Sequence, residues 1–157
     1  METILRGRET AVIISPDLPT VLIGEKISAA ARRDLADALR NGDLDPLVEE
    51  AEDQVAAGAD VLEVNVGAPD VDEVVWLPKA VCRILETVDV PLSIDTADFE
   101  ALDAALGAHK ELAPEGKPLI NSVNGEERYL EGILPLAAEY GAAVIGMALD
   151  DGGIPQT

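Results

Sequence analysis

The sequence predicts an α/β chain of successive parallel βα units behind a short amino-terminal β-hairpin. Three observations predict it. Five apolar runs begin near residues 20, 60, 91, 118 and 143, each followed by a polar residue. Helical patterns rich in Ala and Leu lie between them, at the spacing of βα units. Aromatic residues are only 3% of the chain, so its core must be Val, Leu, Ile and Ala, as in parallel strands covered by helices.

Taken in order, Thr3-Ile4-Leu5 and Thr10-Ala11-Val12-Ile13-Ile14 flank the turn-like Arg6-Gly7-Arg8 and predict a hairpin. Ser15-Pro16-Asp17 breaks it. The first strand of the main sheet is expected at 20–24. A helical pair, 30–40 and 46–57, follows, broken at Asn41-Gly42-Asp43. Asp45 is placed to cap the second helix, with Pro46 at its first position and Gly58 ending it. The second strand is 60–65, and a helix runs from about Val71 to Thr87. The third strand is 91–95. A helix capped by Thr96 or Asp98 runs to Leu106 and stops at Gly107. The fourth strand is 118–121. A helix over 126–140 carries Pro135, expected to bend it. The fifth strand is 143–149, and no helical pattern follows it. Crossovers between such strands are nearly always right-handed, which makes the sheet parallel. A closed (β/α)₈ barrel needs about 250 residues. With 157 residues and five strands, this is either an open doubly wound sheet or part of a barrel.

Composition narrows the function. Eleven Lys and Arg against 31 Asp and Glu give a net charge of −20, which disfavours nucleic acid and anionic membranes as partners. The charge is spread over every helix, which favours a solvated, salt-adapted surface over an acidic docking face. No apolar run approaches the length of a membrane span and no signal-peptide core is present, so a cytoplasmic location is expected. Cys82, the only cysteine, excludes an intramolecular disulfide. It sits in an apolar helical stretch and reads as core filler. His109, the only histidine, reads as part of an exposed loop. No His and Cys cluster suits a zinc site, and Asp150-Asp151-Gly152-Gly153 is weak evidence for a cation.

Polar residues at the carboxyl ends of parallel strands are where ligands bind in such folds. Asp95 could accept paired N–H bonds from a guanidine-like ring edge, and Asn121 offers both donor and acceptor. Capping by Thr96 or Asp98, and turn formation by Asn124-Gly125, leave both available. Glu63 and Asn65 alternate with Val64 and so share a face. They divide evenly between a ligand role and an internal hydrogen-bond network. Glu25 divides between the site and an ion pair with Lys26, Arg32 or Arg33.

In order and spacing, Ile23-Gly24-Glu25-Lys26-Ile27, the run from Gly58 to Gly67, Pro91-Leu92-Ser93-Ile94-Asp95-Thr96, Lys117-Pro118-Leu119-Ile120-Asn121-Ser122 and the run from Tyr140 to Gly146 resemble the pterin-binding barrel family. That family includes dihydropteroate synthase and the methyltetrahydrofolate:corrinoid methyltransferases. Gly153-Ile154-Pro155 looks like the methyltransferase branch, and the synthase motifs expected after the first two strands are replaced by Gly-Glu-Lys-Ile and Asn-Val-Gly. Lys26 and Ser28-Ala29-Ala30-Ala31 stand where the family usually has Arg and Asn-Pro-Thr-Gly.

The resemblance implies an incomplete TIM-type (β/α)₈ barrel, with residues 1–19 as a hairpin or lid and 20–157 as the amino-terminal portion of a pterin-binding domain. It implies that Asp95 and Asn121 grip the pterin, with Glu25, Asn65 and Glu63 nearby. A methyl group would pass from methyltetrahydrofolate to a cobalamin-type corrinoid on a partner protein, with no metal of the chain's own and no catalytic residue assigned. A second copy or a companion chain would complete the sheet. A dihydropteroate synthase-like enzyme and a non-catalytic pterin-binding half-barrel are the alternatives.

If the acidic surface is adapted to salt, the melting temperature rises between low and molar NaCl. A thermal melt series checks this, and no stabilisation across that range overturns it.

Overall fold

A computed structural model of the chain describes residues 2–155; Met1, Gln156 and Thr157, which belong to the two predicted segments, lie outside the described residues. Strands β1 (Thr3–Arg6) and β2 (Ala11–Ile14) form the antiparallel hairpin, with Arg6 opposite Ala11. Leu5 is fully buried and packs with Val61 and Leu119. The Arg6 backbone exchanges two 3.0 Å hydrogen bonds with Lys117. Asp89 accepts from the Arg8 and Glu9 amides, each at 3.0 Å, and from Thr10 Oγ1 at 2.7 Å. Asp89 and Lys117 immediately precede strands of the main sheet, so the hairpin caps its amino-terminal end.

The main sheet holds β3 (Ile23–Ser28), β4 (Val61–Asn65), β5 (Leu92–Asp95), β6 (Leu119–Val123) and β7 (Ala143–Gly146). All pairings are parallel, and spatial order follows chain order. A doubly wound sheet would reverse its order at a switch point. The unbroken progression is that of a barrel arc, and it settles the choice the strand count left open. Helices α1 (Arg33–Arg40), α2 (Asp45–Ala56), α3 (Glu73–Thr87), α4 (Phe99–Leu112) and α5 (Glu127–Tyr140) follow the strands.

Strand alternation then sorts the side chains. Leu62, Val64, Leu92, Ile94 and Ile120 are buried in one cluster with Leu77, Val81, Ile84, Leu102 and Leu106 of the helices. Burying each such aliphatic side chain contributes about 1.5–3 kcal/mol. The intervening residues face the opposite, concave side. There Val61 and Leu119 form an apolar base against the hairpin, and the polar residues stand beyond them. Asp98 caps α4, its Oδ1 accepting from the Glu100 and Ala101 amides at 2.9 and 3.1 Å.

Several expectations are corrected. Strand β3 begins and ends later than predicted and is irregular between Gly24 and Ile27. Buried Gln54 fills this irregularity, accepting from the Lys26 amide at 3.1 Å. A Cβ on Gly24 would lie 2.4 Å from Gln54 Oε1, so a larger residue there would displace the Gln54 amide. Helix α1 starts at Arg33, because 28–32 turn above the end of β3. Asp45 is the first residue of α2 rather than its cap, and Asp43 Oδ1 accepts from its amide at 3.0 Å. Helix α3 starts at Glu73, capped by Asp72. Helix α4 passes through Gly107 to Leu112 and ends ahead of Pro114, whose preceding residue disfavours the helical conformation. Helix α5 starts at Glu127, one residue later than expected, and carries Pro135 inside it. Strand β7 stops at Gly146, and the chain then turns back, Asp150 pairing with Gly153.

Cys82 is half-buried rather than in the core, on the outer side of α3. Burial first, then Glu86 and Glu111, push its thiol pKa up, which opposes thiolate chemistry. His109 is not in a loop: it continues the buried stripe of Leu102, Ala105 and Leu106 and is 1% exposed. No described helix is long and apolar enough to cross a membrane.

Burial, reinforced by Lys110, lowers the His109 pKa from 6.5 to about 4, and its Nε2 has no hydrogen-bond partner. The unfolded chain therefore binds a proton that the folded chain refuses between those values. The stabilisation is complete above pH 6.5 and is lost as pH falls towards 4, by an amount of about 3 kcal/mol. Urea unfolding of the parent and His109→Leu across this window checks it: the variant loses that part of the slope.

Candidate functional site

Four of the five predicted site residues meet on the concave wall. Glu63 stands opposite Ser93 in the β4–β5 register, Ser28 opposite Asn65, and Asp95 opposite Asn121. They make two rungs: Glu63 and Ser93 nearer the apolar base, and Ser28, Asn65, Asp95 and Asn121 at the strand ends. Each carboxylate is bound by an amide from another strand. Asn65 Nδ2 donates to Asp95 Oδ2 at 2.8 Å, and Asn121 Nδ2 donates to Glu63 Oε2 at 2.7 Å across the intervening β5. Asn65 Oδ1 accepts from the Gly67 amide at 2.9 Å, which fixes which way its amide faces. The Asn121–Ser122 peptide bond is cis.

Each bond uses one of the two N–H groups of its amide. Asp95 Oδ1, Asn121 Oδ1 and Glu63 Oε1 are left as acceptors in the carboxylate state, and Asn121 keeps a second N–H. The wall therefore offers mostly acceptors, with a donor among them. Burial, the largest influence, raises the Glu63 pKa, against the hydrogen bond from Asn121; the charges of Asp95 and Glu25 add to the rise. Asp95 and Asn121 open into a cavity of about 140 Å³ lined also by Thr96, Asn124, Tyr129 and Met147. Thr96 is buried, donates to Glu73 Oε2 at 2.7 Å and accepts from the Asp98 amide at 3.1 Å, tying the end of β5 to the first turn of α3.

Glu25 departs from its predicted place. It lies within β3 at the irregularity, exposed, rather than at the strand end, which is Ser28. It remains close enough for its charge to act on Glu63. Arg32 pairs instead with Asp34 and Glu50, and Arg33 with Asp37. Sequence reasoning missed Ser93, whose fully buried Oγ has no partner. Its position two residues before Asp95 on one strand was the available signal. It also missed Tyr129, which no strand pattern points to. Among the described residues, no group of three or more His, Cys, Asp and Glu is arranged to hold a metal ion. Asp150 Oδ1 instead accepts from the Gly152 amide at 2.8 Å.

Residues 33–156 match the family described as pterin binding enzyme. The chain belongs to this pterin-binding family. Methionine synthase of Mycobacterium tuberculosis is 28% identical over 153 residues, which cover 94% of this chain and 12% of that protein. The methylcorrinoid:tetrahydrofolate methyltransferase of Eubacterium limosum is 33% identical over 140 residues, covering 87% of this chain and 49% of that one. Among solved structures, Yersinia pestis DHPS with a pterine–sulfa conjugate superposes with a TM-score of 0.62 at 23% identity, covering 95% of this chain and 50% of its own. Dihydropteroate synthase of Thermus thermophilus, in complex with 6HMPPP, gives 0.55 at 26% identity, covering 90% of this chain and 48% of its own. The pterin-binding chain thus has the α/β architecture of a TIM-type barrel. It spans about half the length of the methyltransferase and synthase chains it matches, and a far smaller share of methionine synthase.

Because the Glu63 pKa is raised on folding, the folded chain holds its proton above the pH at which the unfolded chain releases it. Ionised Glu63 therefore costs stability at neutral pH, and the cost disappears once pH falls below the unfolded value. Glu63→Gln keeps an acceptor for Asn121 and removes the charge. Its melting temperature is expected to exceed the parent's at pH 7 and to converge with it in acid; equal melting temperatures at pH 7 count against this.

Proposed function

We propose that this chain is the amino-terminal, pterin-binding portion of a methyltransferase of the methyltetrahydrofolate:corrinoid type. One observation carries the reading: Asp95 and Asn121 line one cavity, and Asp95 Oδ1 and Asn121 Oδ1 are left to accept there while Asn65 holds Asp95 Oδ2 and Glu63 holds one N–H of Asn121. The amino group and ring N–H of a pterin form the matching donor edge. On this reading residues 20–157 are the pterin-binding unit and residues 1–19 its lid. Asp95 and Asn121 hold the ring, Asn65 orients Asp95, and Glu63 orients Asn121. Glu25 adds negative charge at the edge of the site.

The transferred group is the N5 methyl of methyltetrahydrofolate, and the acceptor is a cobalamin-type corrinoid carried by a partner protein. The name of the Eubacterium limosum relative states the reverse direction; the same grip on the pterin serves both. The chain's own residues bind and orient the pterin. Strands from further polypeptide, a second copy or a companion chain, would pair with β3 and β7, the edges of the described sheet. Such edges otherwise offer unpaired backbone groups. That open sheet is what favours the second reading, a non-catalytic half-barrel that binds a pterin. A dihydropteroate synthase-like activity has the fold likeness in its support but lacks the sequence motifs after the first two strands.

Titration calorimetry with methyltetrahydrofolate tests the proposal. Asp95→Ala is expected to weaken binding about 10- to 100-fold, the range for one hydrogen bond to a charged group. Equal affinity in the variant overturns the site, and no binding by the parent overturns the pterin reading. Binding without methyl transfer to a corrinoid acceptor selects the half-barrel reading.

A further inference from the structure

The two asparagines of the concave wall are held to different degrees. Asn65 is pinned at both ends of its amide: Nδ2 donates to Asp95 Oδ2 at 2.8 Å, and Oδ1 accepts from the Gly67 amide at 2.9 Å. A backbone N–H only donates, so this side chain keeps one orientation whatever the charge on Asp95. Asn121 is pinned at one end. Its Nδ2 donates to Glu63 Oε2 at 2.7 Å, and no described residue donates to its Oδ1. The terminal torsion of an asparagine is broad and roughly two-fold, so oxygen and nitrogen exchange places unless a partner forbids it. Glu63 is that partner. As a carboxylate it only accepts and must face Nδ2; with a proton on Oε2 it donates, and Oδ1 is the matching atom.

Glu63 acts from behind the cavity. It is half-buried on the lower rung beside Ser93, and it is not among the residues that line the cavity, whereas Asn121 is. Ser93 Oγ has no partner, and Asp95 Oδ2 is taken by Asn65. Asn121 is therefore the group bonded to Glu63 among the described residues. The charges that face Glu63 are Glu25 from β3 and Asp95 from β5, both negative, while β6 contributes the neutral Asn121. Lys26, next to Glu25, lines a separate cavity with Gln54 and Ala57. Burial first, opposed by the bond from Asn121 and aided by Asp95 and Glu25, pushes the Glu63 pKa up from 4.5. As pH falls, Glu63 thus takes up its proton before an ordinary glutamate does.

We propose that Glu63 is a positioning residue whose protonation turns the Asn121 amide, so that the atom meeting the cavity is Oδ1 when Glu63 is ionised and Nδ2 when it is neutral. The inference rests on the pterin reading and adds the regulation of that site. The ionised wall grips an N–H edge. The protonated wall loses one acceptor there and gains a donor, which suits a ring carbonyl or an anion instead. Asp95 is exempt, because Asn65 cannot turn. Half of the grip is thus fixed by the backbone and half is set by one proton.

Side-chain NMR of the full chain without ligand reads the turn directly. In a titration from about pH 8 to about pH 5, the Glu63 carboxyl carbon gives the midpoint. Above it, nuclear Overhauser contacts from the Asn121 amide protons are expected to the Glu63 side chain. Below it, they are expected to shift to Thr96 and Tyr129, which line the cavity. Those of Asn65 stay in place throughout, and in Glu63→Gln the pattern at Asn121 is independent of pH. Asn121 contacts unchanged while Glu63 titrates, or a Glu63 that stays ionised across the range, overturn the proposal. Affinity for methyltetrahydrofolate is the second readout. The ligand's own ionisation is common to both chains, so the parent is expected to lose about tenfold relative to Glu63→Gln across the midpoint, the worth of one hydrogen bond. A constant ratio between the two chains overturns the regulation and leaves the pterin reading standing. If methyltetrahydrofolate binds neither chain at any pH, the pterin reading falls, and the amide contacts alone decide the turn.

Discussion

A carboxylate on the concave wall of this sheet must have a partner, and the rest of the site follows from how the partners are supplied. Asp95 and Glu63 are each bound by an amide from a neighbouring or next-but-one strand. A half-buried carboxylate without such a bond would cost the stability of the whole arc. With it, the amides lose their freedom to turn, and the oxygens left over are acceptors. An acceptor-rich edge is thus a by-product of satisfying the wall itself. Both bonds also cross strands, so the site has its shape only while β4, β5 and β6 hold register.

Much of this was legible before the fold was known. The five apolar runs located five parallel strands, and the alternation of Glu63, Val64 and Asn65 placed the two polar residues on one face, where the structure has them. Asp95 and Asn121 could be separated from capping and turn roles because Asp98 and Asn124 fill those roles. The misreadings have physical causes. Gly107 resembles a helix stop, but Pro114 sets the real end, and the stripe running to His109 is long enough to override one glycine. Strand β3 was misplaced because a buried amide, Gln54 on α2, holds its irregular stretch, and no local pattern announces a contact 28 residues away in sequence. Tyr129 was passed over because its role depends on where α5 lies, not on its neighbours in the chain.

The wall also divides its labour by depth. Aliphatic residues at the base are sealed by the hairpin, the lower rung holds the carboxyl with the raised pKa, and the upper rung meets the cavity. Ser93 sits at the change-over: it is fully buried, its Oγ is unpartnered, and the Asn121–Glu63 bond crosses its strand.

The hairpin's attachments have a consequence for the order of folding. It precedes the main sheet in the chain, yet its clamp, Asp89, lies about 80 residues further on, and Lys117 further still. Local pairing of β1 with β2 needs neither, but docking must wait until both have been made. Contacts of such long sequence separation form slowly, because loop closure precedes any gain from them. The amino-terminal mouth of the arc therefore closes only once the segments that lead into β5 and β6 are in place.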